Sequence, residues 1–300
     1  MKGLKTSLHI LSKLSPMTNK RLSIAIPSFN RADILKSNIL MMLPEIKQFS
    51  IQIFISDDSN NDETQNMINE IQVEYESIFY SRNAPSLGHD DNIFRTLSLP
   101  ETDYVWLLGD SIVIKRGAIK NVLEVIDSDQ PGIIAVNANN RAIDSINCHH
   151  EDCNRVFSTF AWHLTLTGAT IYSKNAIASA ESLIKSELKN FPQIALIFNY
   201  LSTSCSFHWL NNRWIFANKE KTSFWTKNMF KVFLEDWSNV IWSLPDCYGH
   251  SDKENTIIDH SQKGYLFSSK SLLSARASGA YDMDIFRKYK QVLPNHSGLR

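Results

Sequence analysis

The residues best suited to chemistry lie where apolar runs of the sequence stop. The stretch WLLGDSIVI (106–114) is largely apolar except for Asp110, which has Gly109 before it and Ser111 after it. A carboxylate placed after a buried run can bind a divalent cation, because Mg²⁺ and Mn²⁺ prefer oxygen ligands. Asp, Gly and Ser are also ordinary turn residues, so both roles stay open for Asp110 at this point.

Polar residues stop three earlier apolar runs in the same way. PSFNR ends the run at 22–27, SDDSNND ends the run at 51–56, and RNAPSLGHDDN ends the run at 77–82. Converging acids repel one another unless a cation or a donor-rich ligand lies among them. The acids concerned are Asp57, Asp58, Asp62, Asp90, Asp91 and Asp110.

The elements that position these residues alternate between strand and helix patterns. Apolar runs predict strands at 22–27, 51–56, 77–82, 103–108 and 132–137. Asn30 is predicted to cap the first helix, whose apolar stripe is Leu35, Ile39, Met42, Leu43 and Ile46. Such alternation implies right-handed crossovers and a mostly parallel sheet, with the ligand beyond the carboxyl ends of the strands. The sequence therefore predicts an α/β fold with the four polar tips at one sheet edge.

After about residue 140 the alternation fades. Residues 159–174 predict an extended pair, 192–204 a helix, and 207–219 a hairpin around Asn211-Asn212. The segment 224–244 is crowded with aromatic residues, for which core helix packing is favoured. An interfacial helix that contacts a membrane or a lipid-linked acceptor is the alternative. The aromatic residues are Phe224, Trp225, Phe230, Phe233, Trp237 and Trp242.

Composition restricts the class of protein. With 300 residues, 43% of them hydrophobic, the chain can bury a sizeable core. Lys+Arg and Asp+Glu are equal at 31 each, so no global basic field indicates nucleic acid as the main partner. No apolar run reaches the roughly 18 residues of a membrane span. The basic, weakly amphipathic start (1–21) makes a poor signal peptide and predicts a surface helix or a leader.

Four cysteines do not make a disulfide scaffold, and they fit a reduced, cytoplasmic setting. The run CHHEDC (148–153) resembles a metal cluster, but its spacing is not that of a usual zinc knuckle, so a polar loop is favoured. No GxGxxG, GxxxxGK[ST] or GxSxG motif occurs. Their absence disfavours dinucleotide dehydrogenases, P-loop enzymes and serine hydrolases.

Four segments, taken together and in order, resemble the nucleotide-sugar domain of family 2 glycosyltransferases. They are SIAIPSFNRADIL, IFISDDSNNDET, NAPSLGHDDNIFRTL and DYVWLLGDSIVIKRGAI, and they cover residues 21 to about 137. The branch they resemble most is the abequosyltransferase-like group of bacterial surface polysaccharide synthesis. The resemblance implies a GT-A fold, which is Rossmann-like with a mostly parallel central sheet and helices on both faces, plus a helical, aromatic-rich C-terminal part.

The resemblance also implies a division of the chain. Residues 1–20 would be a leader and 21–140 the nucleotide-sugar-binding half. Residues 141–220 would form the acceptor-side half of the same GT-A domain, and 221–300 a helical extension.

By resemblance, the strand tips bind the donor. Pro27, Phe29 and Asn30 would line the base pocket, with Arg31 near the phosphates or the loop. Asp57 would accept a hydrogen bond from the pyrimidine N–H. Asp58 and Gly109 would belong to the same site, Asn83 and Gly88 would shape the ribose side, and Asn92 and Arg95 would lie on the following helix. Asp110 would hold Mg²⁺ or Mn²⁺ against the diphosphate.

The chain departs from the family pattern in two places. Family members carry two or three acids where this chain has Gly109-Asp110-Ser111. One carboxylate can suffice when the diphosphate and water supply the other ligands, because Mg²⁺ keeps several waters. By resemblance, a Glu-Asp pair supplies the catalytic base, and the corresponding region here, SELKNFPQIALIF (186–198), has no such pair. Glu187 is the nearest acid for that role, with Asp152 and His163 as alternatives.

The sequence predicts a glycosyltransferase that moves sugar from a nucleotide diphosphate to a hydroxyl of an O-antigen or capsule acceptor. By family expectation the transfer inverts the anomeric carbon and uses a divalent cation. An oligosaccharide or lipid-linked acceptor would place the protein in the cytoplasm, with peripheral contact at the inner face of the membrane as an option. The first alternative is a non-catalytic sugar-nucleotide-binding scaffold of a polysaccharide assembly complex. The second is a nucleotidyltransferase, which PSFNRAD disfavours because it lacks glycine.

Overall fold

The alternation predicted for the first half is present in the computed structural model, which describes residues 19–139, 141–183, 188–218, 225, 227–280, 284 and 287. The elements of the first half are β1 (Leu22–Ser28), α1 (Ala32–Gln48), β2 (Gln52–Asp57), α2 (Glu63–Gln72), β3 (Ile78–Arg82), α3 (His89–Ser98), β4 (Tyr104–Leu107), β5 (Ile112–Ile114), α4 (Ala118–Ser128) and β6 (Ile133–Ala138). The five predicted strands correspond to β1, β2, β3, β4 and β6. The short strand β5 begins two residues after Asp110 and is not among the predicted elements.

The second half adds strands to the same sheet and helices around it. Its elements are β7 (Cys148–His150), α5 (Cys153–Leu164), β8 (Thr170–Ser173), α6 (Lys174–Ala178), α7 (Pro192–Thr203), β9 (Phe207–Ala217), α8 (Trp237–Ser243), α9 (His250–Lys263) and α10 (Ser269–Ala277). A π-helical stretch, Lys231–Asp236, leads into α8. The predicted leader falls largely on residues 1–18 and Phe224 lies in the C-terminal segment; both are outside the described residues.

The sheet is mixed, and helices cover both of its faces. Its strand order is β3-β2-β1-β4-β8-β6-β9-β5, with β7 paired to β9. The strands β3, β2, β1 and β4 are parallel, as predicted. The strand β8 then inserts antiparallel between β4 and β6, and β5 and β7 are antiparallel to β9. Parallel order therefore holds for the part of the sheet that carries the predicted tips.

Two predictions for the second half are wrong. Residues 207–219 do not form a hairpin, because β9 runs through Asn211-Asn212 as one strand. A bulge against β6 takes up the irregularity there, and the Asn137 side chain donates to the Asn211 carbonyl at 2.9 Å. Residues 159–164 end helix α5 rather than start a strand, since the buried Val156, Phe157 and Phe160 repeat at helical spacing.

Helix α1 confirms the apolar stripe but not its predicted cap. All five stripe residues are buried against the sheet. The residue at the N-cap position is Arg31, and no side chain caps the helix. Asn30 instead adopts a positive φ of 51°, a conformation that Asn tolerates better than most residues. Its backbone N–H donates to the Ser59 hydroxyl at 2.7 Å, which fixes the turn after β1.

The aromatic C-terminal segment packs mainly into the protein. Trp237 is fully buried, and Phe230 packs with Phe267 in a smaller apolar cluster beside the main core. Trp242 is the exception, with 40% of its surface exposed. In the part of the chain that the structure describes, no helix combines the length and the apolar character that crossing a bilayer requires.

Candidate active site

A cavity of about 710 Å³ lies at the carboxyl edge of β1 and β4. The volume is in the range of a small-molecule site. Because β1, β2 and β4 are parallel, their carboxyl ends share one edge, and the loops that follow them meet there. Predicted binding residues that line the cavity are Pro27, Phe29, Asn30, Arg31, Asp58, Gly88, Asn92, Gly109 and Asp110.

Phe29 and Arg31 lie in the turn that follows β1, and both line the cavity. Phe29 is 55% exposed although it is a large apolar residue. An aromatic ring left open at a cavity wall can stack on a flat ligand such as a nucleobase. Arg31 lies at the start of α1 and reaches across to the tip of β4.

Asp110 lies at that second tip, where the sequence placed the candidate metal ligand. Its Oδ1 is 3.0 Å from the Arg31 Nη1, and the two groups form an ion pair. Asn38 of α1 donates to the Asp110 carbonyl at 2.8 Å, which fixes the backbone of the tip. The Ser111 hydroxyl is buried and has no hydrogen-bond partner among the described residues. The tip thus offers one carboxylate, already balanced by a guanidinium, and one unpartnered hydroxyl.

The neighbouring acids Asp57 and Asp58 have different surroundings. Asp57 is fully buried and does not line the cavity. Its Oδ1 accepts from the Ser59 hydroxyl at 2.5 Å and its Oδ2 from the Tyr80 hydroxyl at 2.8 Å. Burial, together with Asp57, raises the pKa of Tyr80 to about 12. Both Asp57 oxygens accept hydrogen bonds from protein donors, and its role at a nucleobase stays a prediction.

Asp58 lines the cavity and anchors the loop that follows β3. Its carboxylate accepts from the Ser86 hydroxyl at 2.6 Å and from the backbone N–H groups of Leu87 and Gly88 at 2.8 and 2.7 Å. Burial alone would raise the pKa of Asp58, but these hydrogen bonds and one from Asn83 outweigh it, so the pKa is lowered. Asp58 therefore stays ionised and holds this loop at the cavity.

Asn83, Gly88 and Asn92 support the same loop. The Asn83 side chain donates to Asp58 and to the Asn92 Oδ1, both at 3.0 Å, and lies behind the cavity rather than on it. Gly88 has a φ of +81°, which residues with a Cβ rarely adopt, and α3 begins directly after it. Arg95 is exposed on α3 and does not line the cavity.

Arg141, which the sequence did not single out, lines the cavity from the loop between β6 and β7. Its guanidinium donates to the Thr165 hydroxyl at 2.9 Å and to the Trp162 carbonyl, and lies 5.1 Å from the centre of the Trp162 ring. No carboxylate of the described residues forms an ion pair with it. Burial lowers the pKa of Arg141 to about 10, so the group is still charged at neutral pH. Such a partly buried cation favours an anionic ligand.

The C-terminal part closes the cavity with an apolar wall. Its contributions are Trp225, Val232, Phe233, His260 and Leu266. His260 is buried, and its Nε2 is 3.3 Å from the Thr165 hydroxyl. Burial and the nearby Arg141 lower the pKa of His260 well below its ordinary value, so the imidazole is neutral.

Two of the three predicted catalytic bases, Asp152 and His163, do not line this cavity. Glu187 lies outside the described residues. Asp152 is the N-cap of α5, where it accepts from the backbone N–H groups of Asn154 and Arg155, and it does not line the cavity. His163 is buried between the carbonyls of Val136 and Arg141. Burial and the nearby Arg141 lower the pKa of His163 to about 4.

His89 was also missed by the sequence analysis. It lines the cavity at the start of α3, and about half of its side chain is exposed. Its Nδ1 is 2.7 Å from the Asp90 Oδ1, and its ring meets the Trp225 ring edge-on. Asp90 in turn accepts from the backbone N–H of Asn190 at 3.1 Å. The two halves of the chain therefore hold an oriented imidazole at the cavity.

The sequence profile of Glycosyl transferase family 2 matches residues 23–185, which is more than half of the chain. The chain belongs to this family. It is also 31% identical over 110 residues to abequosyltransferase RfbV of Salmonella typhimurium, a match that covers 36% of this chain and 33% of that protein. These two findings confirm the predicted family and its abequosyltransferase-like branch. The matched segment spans about a third of the length of this curated relative.

Solved structures confirm the GT-A fold of this glycosyltransferase. Residues 1–349 of S. aureus TarS superpose with a TM-score of 0.59 at 12% identity, covering 91% of this chain and 83% of that one. The mannosyltransferase PcManGT of Pyrobaculum calidifontis, in complex with GDP-Man and Mn²⁺, superposes with a TM-score of 0.59 at 10% identity. That match covers 92% of this chain and 80% of the mannosyltransferase.

Proposed function

We propose that this family 2 glycosyltransferase moves a sugar from a nucleotide-diphosphate donor to a hydroxyl of a bacterial surface-polysaccharide acceptor. The observation that carries the proposal is that the Arg31–Asp110 pair lines the same cavity as Arg141, which has no carboxylate partner among the described residues. An acid for a cation and guanidinium groups for phosphate are the parts that such a donor needs. Related folds have been solved with UDP, with UDP-GlcNAc and with GDP-Man and Mn²⁺, which supports a nucleotide-sugar donor.

The donor site uses the tips of β1 and β2 for the nucleoside. Phe29 would stack on the base beside Pro27 and Asn30. Asp58 rather than Asp57 faces the cavity, and its role is to hold the 83–88 loop against the ribose. The order of these parts follows the order of the strands, β2, β1 and β4, along the edge.

The donor set at the β4 tip fits a hard divalent cation, Mg²⁺ or Mn²⁺. Asp110 supplies a carboxylate oxygen, and the unpartnered Ser111 hydroxyl lies next to it in the chain. A bound cation would supply positive charge close to the diphosphate. Arg31 holds Asp110 in place and would itself bind phosphate oxygens, since guanidinium groups pair well with them.

Arg141 would bind the diphosphate from the other wall and stabilise the charge that grows on it as the sugar leaves. Its hydrogen bonds to Thr165 and Trp162 fix the guanidinium before the donor arrives. Fixed donors of this kind stabilise a leaving anion without reorganising during the reaction.

The acceptor hydroxyl needs a base, and we assign His89 to this role among the described residues. Asp90 orients its Nδ1, which leaves Nε2 to take the proton. Glu187 stays a prediction for the same role. If the activated hydroxyl attacks the face of the sugar opposite the leaving diphosphate, the configuration at the anomeric carbon is inverted.

The apolar wall is suited to a lipid-linked or oligosaccharide acceptor. We place the protein in the cytoplasm, in peripheral contact with the inner face of the membrane, and the exposed Trp242 supports the membrane contact. The alternative, a non-catalytic scaffold, draws on the single acid in the place where the family carries two or three.

The test is donor turnover by the full chain. UDP-, CDP-, GDP- and dTDP-sugars are incubated with Mn²⁺ and an oligosaccharide acceptor, and both nucleotide release and sugar transfer are measured. We expect one donor class to be used. Asp110→Asn should abolish its use, and Asp62→Asn should not, because Asp62 is exposed and pairs with Arg82. If binding of a donor is found without hydrolysis or transfer of any, the scaffold alternative is correct.

A further inference from the structure

A cluster of metal-binding side chains lies at the opposite edge of the sheet from the cavity. Asp129 follows α4 and precedes β6, His208 is the second residue of β9, and His149 is the middle residue of β7. One ligand atom of each of the three lies within 4.8 Å of those of the other two. None of the three lines the cavity.

The strand directions show how far this cluster lies from the cavity. Both β4 and β6 are antiparallel to β8, so β4 and β6 run the same way. Asp110 follows the carboxyl end of β4, whereas Asp129 precedes the amino end of β6. Since β6 has six residues, the two edges are about 20 Å apart.

Strand pairing explains how the two histidines meet. His149 and His208 are directly opposite each other on the antiparallel strands β7 and β9. Residues in that position point to the same face of the sheet. Cys148 and His150 point to the other face, where the Cys148 Sγ is 3.0 Å from the His150 Nε2. The CHHEDC run is thus divided between two faces, and only His149 joins the cluster.

Asp129 and His208 are already in direct contact, since the Asp129 Oδ2 and the His208 Nδ1 are 2.8 Å apart. Ligand atoms of a tetrahedral zinc ion, each about 2.1 Å from the metal, are about 3.4 Å from one another, so an ion bound here would separate these two atoms by about 0.6 Å.

We propose that Asp129, His149 and His208 form a zinc site, separate from the donor cavity, that ties β7 to β9 and to the start of β6. Two imidazoles and one carboxylate are a ligand set that zinc accepts, with water at the fourth position. The loop that carries Arg141 runs from the carboxyl end of β6 to β7, so the site would fix the β7 end of that loop. This inference does not depend on the proposed function.

The test uses tag-free full-length protein that has been freed of metal with EDTA. Zn²⁺ binding is measured by calorimetry, and Co²⁺ is used as a coloured substitute. We expect one equivalent of Zn²⁺ and a rise in Tm on its addition. Loss of an indirect metal contact already costs about 10–100-fold in affinity, so His149→Ala and His208→Ala should each cost at least about 100-fold.

Three control variants make the result decisive. His250→Ala removes an exposed histidine elsewhere, Cys148→Ser removes a ligand type from the other face of β7, and Asp110→Asn removes the acid of the cavity. All three should bind Zn²⁺ as the wild type does. His149 is exposed, so His149→Ala should fold even if His208→Ala does not. The proposal is overturned if wild-type protein binds no Zn²⁺ at micromolar concentration, if His149→Ala binds it normally, or if Asp110→Asn loses it.

Discussion

The cavity has a first wall built from the ends of β1, β2 and β4 and a second wall built from the second half of the chain. Charged groups of the first wall are bound by other protein groups, whereas the charge of the second wall has no carboxylate partner among the described residues. Asp58 accepts hydrogen bonds from one loop, and Asp110 pairs with Arg31. On the other wall, His260 is neutral because it is buried, and Arg141 has no carboxylate partner among the described residues. The charges of the first wall are therefore balanced by other protein groups, while the charge of Arg141 on the second wall is balanced only when an anion binds.

The largest predicted loss of activity is for substitution of His89, which contacts Asp90 of α3 and Trp225 of the second wall. His89→Asn should lower kcat by about 10²–10⁴-fold, because an oriented base is removed from the acceptor hydroxyl. The measurement is kcat of the wild type and of the variant at one pH, with saturating donor and acceptor. His250→Asn is the control, and Glu187→Gln tests the rival base. Full activity of His89→Asn would remove His89 from the mechanism.

Arg141→Met should lower kcat by about 10²–10³-fold, the usual loss for one fixed donor to a developing anion. Arg141→Lys should recover part of the rate because the charge remains. Arg95→Met, on an exposed face of α3, is the matched control and should be neutral. If Arg141→Met stays folded and leaves kcat unchanged, Arg141 does not stabilise the leaving diphosphate.

Trp237→Ala and Trp242→Ala compare a buried and an exposed tryptophan of one helix. Trp237 is fully buried, so its truncation should lower the free energy of unfolding by about 3–5 kcal/mol. Trp242→Ala should change it by less than about 1 kcal/mol. Urea denaturation measures both.

Trp242→Ala should also weaken sedimentation with anionic vesicles, and unchanged sedimentation would argue against membrane contact at this residue.

Asp58→Asn should cost about 1.5–3 kcal/mol at pH 7, because hydrogen bonds to a carboxylate are lost. The folded-state pKa of Asp58 is lowered, so its contribution is present above the unfolded value of 3.8 and is lost as the pH falls through the folded value. The difference in unfolding free energy between wild type and Asp58→Asn should therefore shrink as the pH is lowered below 4. A constant difference across that range would show that the charge is not responsible.

The two walls also differ in how far the sequence predicts them. The tips of β1, β2 and β4 could be predicted because short apolar runs and parallel topology place them at one edge. Even there, the sequence could not separate Asp57 from Asp58, since adjacent residues in a turn differ only in which donors surround them. The contacts of Tyr80 and Ser86, far along the chain, make that difference.

The second wall could not be predicted because its contacts are long-range. Arg141 lies in a loop without periodicity, and its partners Trp162 and Thr165 were assigned to an extended pair that is in fact the end of α5 and the turn after it. Strand β8 enters between β4 and β6 through tertiary pairing that its own four residues do not indicate. The zinc ligands are separated in the same way, at positions 129, 149 and 208.

The measurement that tests the central claim most directly is calorimetric binding of UDP, CDP, GDP and dTDP, with and without Mn²⁺, to wild type and Asp110→Ala. The account predicts that one nucleotide binds, that Mn²⁺ strengthens its binding, and that Asp110→Ala removes this metal dependence. A nucleotide that binds equally well with EDTA and to the variant would make Asp110 a turn residue and contradict the metal role. If no nucleotide binds, the cavity is not a donor site.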